Sequence, residues 1–401
     1  MARADSLTVA VLLTALVALG PISTDLYLPS LPAIGTAFGV GAAEVQLTLS
    51  VFLAGFACSQ LIYGPLSDRF GRRPVILVGL ALYLAATVLC VVAPDIEILI
   101  LARFLQALGA CVGPVLGRAV VRDVYGREGA ARVLSYMGMA MALAPALGPI
   151  IGGYLQVWFG WQANFLVLVG FAVALLLAIL AILPETNRWM DPLATRPGRL
   201  VSTYLMLLRH RSYLGFVLIT AFSYSGIFSF ISGSAFVLIG LLGLSPDQYG
   251  FCFAAIVVGY MIGTFCSGRL TTRLGHGPLI QLGTLVQCLG GLLGVLLYGA
   301  DILTVASVVG PVTLFMVGTG LVLPNAQAGA VGPFPKVAGS ASALLGFFQM
   351  SLAALVGIAV GHGSGTSALP MMAAIALVAL GATLSYWLMV RPAAPEPAEA
   401  D

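Results

Sequence analysis

The chain has 401 residues, of which 60% are apolar and only 8% charged, with a mean hydropathy of +1.05 and a net charge of +3. A soluble domain carries roughly 25% charged residues, so a water-solvated globule is excluded and a bilayer must replace water around most of the surface. The small net charge gives no basis for a nucleic-acid partner. Cys58, Cys90, Cys111, Cys252, Cys266 and Cys288 all fall within apolar runs and show no metal-ligand or redox spacing. They read as small core residues, and no cofactor or metal is expected.

Charge-free runs mark the membrane spans in chain order. Met1-Ala-Arg-Ala-Asp before an apolar run from Leu7 to Gly20 has the outline of a secretory signal, but no A-x-A site follows, so the run reads as the first span. It covers 7–24, is closed by Asp25 and continues through Tyr27. The next spans are 45–67, 74–94 and 98–117, the last interrupted by Arg103. The stretch 133–184 is too long for one helix and must fold as two, with its turn near Gln156–Gly160. Single spans follow at 212–244, 248–268, 277–300 and 302–325. The stretch 337–390 is again double, turning at His362-Gly-Ser-Gly. The chain is therefore expected to be an all-α polytopic membrane protein with twelve transmembrane helices in two six-helix bundles, 1–184 and 212–391.

The segment 185–211 is polar, contains Pro192 and Pro197, and is the expected cytoplasmic connection between the bundles. The tail 392–401 is acidic and Pro/Ala-rich and is expected to be disordered. Loops on one side hold Glu44, Asp95, Glu97, Asp247 and Asp301 without any Lys or Arg. The other side holds Arg69, Arg72, Arg73, Arg122, Arg127, Arg132, Arg269, Arg273 and Lys336, with Arg188, Arg196, Arg199, Arg209 and Arg211 in the central segment and Arg3 and Arg391 at the ends. That asymmetry places both termini in the cytoplasm.

One internal repeat is visible. Gly64-x-Leu66-x-x-Arg69-x-Gly71 recurs as Gly268-x-Leu270-x-x-Arg273-x-Gly275, every matched residue displaced by 204 positions. Both copies sit where an even-numbered helix leaves the membrane, which suggests two halves related by an axis along the membrane normal.

These residues also carry a family resemblance. Gly64-Pro-Leu-Ser-Asp68-Arg69-Phe-Gly71-Arg72-Arg73 resembles the loop 2–3 signature of the major facilitator superfamily, and Arg103-Phe-Leu-Gln106-Ala-Leu-Gly109 resembles the helix 4 motif of its proton-coupled members. Ala144-Pro145-Ala-Leu-Gly148-Pro149-Ile-Ile-Gly152-Gly153 resembles the helix 5 motif of antiporters. Ser23-Thr-Asp25-Leu-Tyr27-Leu-Pro29, Leu323-Pro324-Asn325-Ala-Gln327 and Ala338-Gly-Ser-Ala-Ser-Ala-Leu-Leu-Gly-Phe-Phe-Gln349 narrow the likeness to the Bcr/CflA branch of drug:proton antiporters, which includes bicyclomycin and chloramphenicol/florfenicol exporters. The resemblance implies the major facilitator fold, antiport of a small-molecule drug against protons, a bacterial inner membrane and a monomer. The second copy of the loop motif has Thr272 at the acidic position, so only the first can make ionic contacts.

Asp25 is the one acid embedded in a span. A carboxylate there costs roughly 2.5–3.5 kcal/mol on insertion scales, so such residues usually face a cavity or a partner. A carboxylate balanced between low dielectric and a nearby cation can exchange a proton near neutral pH. The alternative is a plain helix-end acid, because Pro29 and Pro32 follow closely. Arg103 lies at a compatible depth and either tunes Asp25 or satisfies backbone carbonyls at a broken helix. Gln106, one turn further on, is expected to extend the polar network. In the loop motif, Asp68, Arg69 and Arg72, with Gly64 and Gly71 allowing close approach and a tight turn, are expected to latch the two bundles together on the cytoplasmic side, favouring the outward-open state and breaking when that side opens, and Arg122 and Asp123 to extend that latch. The alternative is a basic cluster obeying the charge bias alone. Pro145, Gly148, Pro149, Gly152 and Gly153 weaken their helix and admit a close neighbour.

Tyr27, Tyr136, Met139, Tyr224, Phe228, Asn325 and Gln349 are candidate cavity residues beside Asp25 and Gln106, with Met141, Asn164, Phe230, Phe236 and Gln327 behind them. Scarce buried charge points to a lipophilic or neutral cargo; export of amino acids or small peptides, or uptake of a nutrient, stays open. No G-x-x-x-x-G-K-[ST] loop or catalytic constellation occurs, so neither an ATP-driven pump nor an enzyme is expected.

Overall fold

The computed structural model describes residues 7–187, 189–363 and 367–391. Arg3, Arg188 and the tail 392–401 lie outside the described residues, as do the side chains of Arg127, Arg132 and Lys336. Among the described residues, twelve helices are long and apolar enough to span a bilayer: α1 Leu7–Phe38, α2 Ala42–Phe70, α3 Arg72–Val91, α4 Ile96–Tyr125, α5 Tyr136–Phe159, α6 Gln162–Ile182, α7 Arg211–Leu241, α8 Pro246–Leu274, α9 His276–Gly299, α10 Val305–Val331, α11 Ala338–Gly361 and α12 Leu369–Val390. They form two six-helix bundles joined by the polar linker, and the protein is a multi-pass membrane protein. Leu177, Leu296, Leu355 and Leu388 are among many large apolar side chains left exposed, as expected where lipid rather than water is the solvent.

The span boundaries follow local chemistry. Gly71 (φ 94°) and Gly275 (φ 78°) each end one helix in a conformation that disfavours any side chain, and the next helix starts at the following residue. The repeat in the sequence is thus a repeated corner. Gly160 (φ 83°) turns α5 into α6, within the predicted turn. By contrast, the chain stays helical from Val112 to Phe159, where a polar loop around Arg122 was expected. Direction still reverses there. Gly113 and Gly117 of α4 lie against Leu16 and Val17 of α1, whereas Gly148 and Gly152 of α5 lie against Asp25 and Leu26.

α1 is broken. Its regular helix ends at Asp25, a 3-10 turn covers Leu28–Ser30, and helix resumes at Leu31–Phe38. Pro29 and Pro32 cause the break, because neither can donate to the preceding turn.

The bundles meet along α5 with α8 and α2 with α11. At the face opposite the termini these seams are tight. Gly153 abuts the backbone of Pro246, Gly250 abuts Pro149 and Ile150, and Gly357 and Gly361 abut Gln46. Gln46 of α2 also donates to Ser232 of α7 at 2.6 Å and accepts from Ser50, all three side chains being buried. At the termini face the bundles part around a cavity of about 690 Å³. The far face is therefore closed and the termini face open.

The linker divides its loyalties. Asp191 and Asn187 bond to the backbone of Asp68, and Thr195 accepts from Arg69, all on the first bundle. The linker helix Pro197–Arg209 instead buries Leu207 among Tyr213, Val217 and Leu344 of the second.

Candidate functional site

Asp25 sits where α1 breaks and is 3% exposed. Thr24 donates to it at 3.2 Å. Gly148 of α5 brings its backbone against the Asp25 side chain, and Gly152 presses on Leu26; any larger residue at either position would collide there. The helix 5 motif therefore has two faces: Gly148 and Gly152 seat the Asp25 turn, while Pro149 and Gly153 meet α8 of the other bundle. Across that seam, Tyr224 and Tyr249 of the second bundle lie within electrostatic reach of Asp25. Tyr224 stacks on Phe228 at 5.9 Å, and Tyr249 shares a hydrogen bond with Ser234.

Arg103 is fully buried and forms no ion pair with Asp25. It donates to the Ser23 carbonyl at 3.1 Å and to Gln106 at 2.5 Å, and lies 4.3 Å from the rings of both Tyr27 and Phe52. Its Nε and Nη2 have no hydrogen-bond partner among the described residues. Ring faces replace them, an interaction worth about 2 kcal/mol when desolvated. Of the two readings open for Arg103, this geometry draws the second, a cation satisfying a carbonyl at a helix break. Its contact nearest Asp25 is the Ser23 carbonyl, two residues away along α1.

Gln106 joins the network as expected, passing from Arg103 to Thr87 at 2.9 Å, while Tyr83 bonds to Ser23 at 2.7 Å. Gln287 repeats the arrangement in the second bundle, donating to Thr319 at 2.9 Å, but no arginine accompanies it. Gln106→Leu strands Arg103 and Thr87 together. It is expected to cost about 1–3 kcal/mol of stability, read as a lowered thermal midpoint in detergent; an unchanged midpoint would show the network to be dispensable.

Several candidate cavity residues are placed elsewhere. Tyr27 is 0% exposed, with its hydroxyl on Thr48 and its ring under Arg103, so it supports the arginine inside the first bundle. Tyr136 and Met139 fall on one exposed stripe of α5 with Leu143, Leu147 and Ile151, at helical spacing, and face outward like lipid-contacting residues. Asn325 is taken up at the α8–α9 corner, bonded to Ser267, Thr271, His276 and the Leu321 carbonyl. This neutral cluster is the second bundle's counterpart to the loop motif, with His276 exactly 204 residues from Arg72. Phe228 and Gln349 are buried, and Gln349 makes no hydrogen bond among the described residues.

The loop motif makes its contacts within one bundle and with the linker. Arg72 pairs with Asp68 at 2.6 Å and with Asp123 at 3.1 Å, joining α2, α3 and α4 of one bundle. It does not cross to the second bundle, because the termini face is parted. Its outward contacts go to the linker: Glu185 accepts from the Arg72 and Arg73 amides beside Gly71, and Arg69 holds Thr195. Gly64 and Arg122 line the cavity, and Arg122 has no bond to the Arg72 cluster among the described residues.

Sequence reasoning missed Gln46, Ser50 and Ser232 at the far seam, and Arg118, which lies inside α4 rather than beyond it. A charge one residue past an apolar run looks like a span end; only the continuing helix shows otherwise.

The sequence profile described as Major Facilitator Superfamily matches residues 13–358. The chain is 30% identical to a bicyclomycin resistance protein homolog of Haemophilus influenzae over 92% of this chain and 93% of that one. It is 31% identical to multidrug resistance protein D of Escherichia coli, over 87% of each. Its fold is similar to that of a crystallised D-xylose-proton symporter, with a TM-score of 0.78, 15% identity, and coverage of 96% of this chain and 97% of that one.

Proposed function

We propose that this chain, which belongs to the Major Facilitator Superfamily, is a proton-coupled exporter of small lipophilic or neutral drugs, with phenicols and bicyclomycin the first candidates. The observation that carries the reading is Asp25: an acid buried within a membrane-spanning helix, at a helix break, pressed against α5 and within electrostatic reach of Tyr224 and Tyr249 of the second bundle. The relatives named for bicyclomycin and multidrug resistance support export as the direction.

Positive-inside bias puts the termini face, with Arg69, Arg72, Arg73, Arg269 and Arg273, in the cytoplasm of a bacterial inner membrane. The conformation is then inward-facing, and drug enters the open cavity from the cytoplasm, below the buried Asp25. Neutral Asp25 tolerates its seat against Gly148, whereas the carboxylate requires donors or water. Loading and unloading one proton therefore changes what the α1 break can pack against, and α5 carries the change to the α8 seam. The bundles 1–184 and 212–391 rock about the cavity, and the unit of function is a monomer.

Adding chloramphenicol or florfenicol to purified protein in weakly buffered detergent is expected to release protons from the wild type and none from Asp25→Asn. Binding with equal proton release, or with none, in both proteins would remove Asp25 as the carrier.

A further inference from the structure

We propose that Arg118 and Arg122 form a binding site for an anionic amphiphile in the wall of the termini-face cavity, distinct from the Asp25 centre. Both line the cavity of about 690 Å³, as does Arg72. Arg72 is consumed by Asp68 and Asp123. Arg118 and Arg122 have no acidic partner among the described residues. Asp191 is the other acid on the wall and lies on the linker.

Arg118 is fixed in place by its Nε, which donates to the Pro114 carbonyl at 2.7 Å. That bond leaves its terminal nitrogens as a fork facing the cavity, the geometry that grips a carboxylate, sulfonate or phosphate with two parallel bonds. Arg122 stands one helical turn further on, within electrostatic reach of Arg118. Like charges at this spacing repel, and a bridging anion relieves that repulsion. The wall also carries apolar side chains, with Leu134, Trp189 and Tyr204 available to a ring or chain. Charge beside apolar surface at a membrane-embedded mouth fits an amphiphile whose anionic head reaches the arginines. The head could belong to a phospholipid or to a soluble cargo. The site does not depend on the direction of transport.

The test uses the full chain in a neutral maltoside detergent and titration calorimetry with 2-naphthalenesulfonate and neutral 2-naphthol. Wild type is expected to bind the sulfonate saturably and more tightly than the naphthol. R118Q/R122Q is expected to lose roughly tenfold or more in sulfonate affinity with naphthol unaffected, and R118K/R122K, which keeps the charge but not the fork, to fall between the two. Should the neutralised double variant fail to fold, R122Q and a salt titration of the wild type read the same charge dependence. Displacement of the sulfonate by phosphatidylglycerol, but not phosphatidylcholine, would support the site and identify a headgroup as its occupant; displacement by neither would support it with a soluble anion. Equal affinity for sulfonate and naphthol, or unchanged sulfonate affinity in the folded variant, overturns the proposal.

Discussion

Asp25→Asn is expected to abolish drug accumulation driven by a pH gradient in proteoliposomes while leaving drug counterflow at a comparable rate. Asparagine has nearly the same shape, so it keeps the Thr24 contact and the packing against Gly148. It cannot carry a proton. One pH unit supplies about 1.4 kcal/mol per proton, enough for roughly tenfold accumulation at one proton per molecule. The variant should show none of this, because exchange needs only the rocking bundles. Gradient-driven accumulation persisting in Asp25→Asn would place the proton elsewhere. Loss of counterflow as well would mean that Asp25 also contacts cargo.

The glycines of the α5 seam separate two kinds of contact, and substitutions there should have opposite signatures. A methyl on Gly250 would lie 2.6 Å from the Ile150 Cα and 2.8 Å from the Pro149 oxygen, in the other bundle. That clash exists only while the far face is closed. Overpacking of this kind costs about 1–3 kcal/mol, a factor of roughly 5–150 in the ratio of two states. Gly250→Ala should therefore populate the conformation open at the far face. In a background lacking native cysteines, maleimide labelling of S50C from that side should accelerate by a comparable factor, since Ser50 is 1% exposed when the seam is shut. Gly152 instead meets Leu26 within its own bundle. Gly152→Ala should lower the thermal midpoint, with little change in labelling. Equal labelling of both variants would show that the α5–α8 seam does not govern closure.

How much of this could be read from the chain alone depended on what kind of physics fixed each feature. Spans follow from solvent, so charge-free runs located all twelve, and corners that demand a left-handed glycine announced themselves at Gly71 and Gly275. Asp25 stood out because an acid in an apolar run is costly wherever it points. Which way a side chain faces is set by neighbours distant in sequence, and there the chain said less. Tyr136 and Met139 have the composition of a binding surface, but α5 turns them outward. Asn325 had no sequence signal linking it to Thr271 and His276. The partners of the loop motif depend on conformation, which residue spacing does not convey: with the termini face open, the ionic cluster stays inside the first bundle and holds the linker. Arg118 was overlooked because charge was used to end a helix that in fact continues.

The divided linker has a mechanical consequence. Residues up to Thr195 are fastened to the first bundle and the linker helix to the second through Leu207 near its far end, so the crossing runs through Arg196 and the length of that helix. That residue is extended (φ −67°, ψ 118°), as a residue preceding proline must be, and proline fixes the next torsion. One such residue advances the chain by only about 3.8 Å. The tether between the two bodies is therefore one extended residue and a stiff helix, which bounds how far they can part on this face.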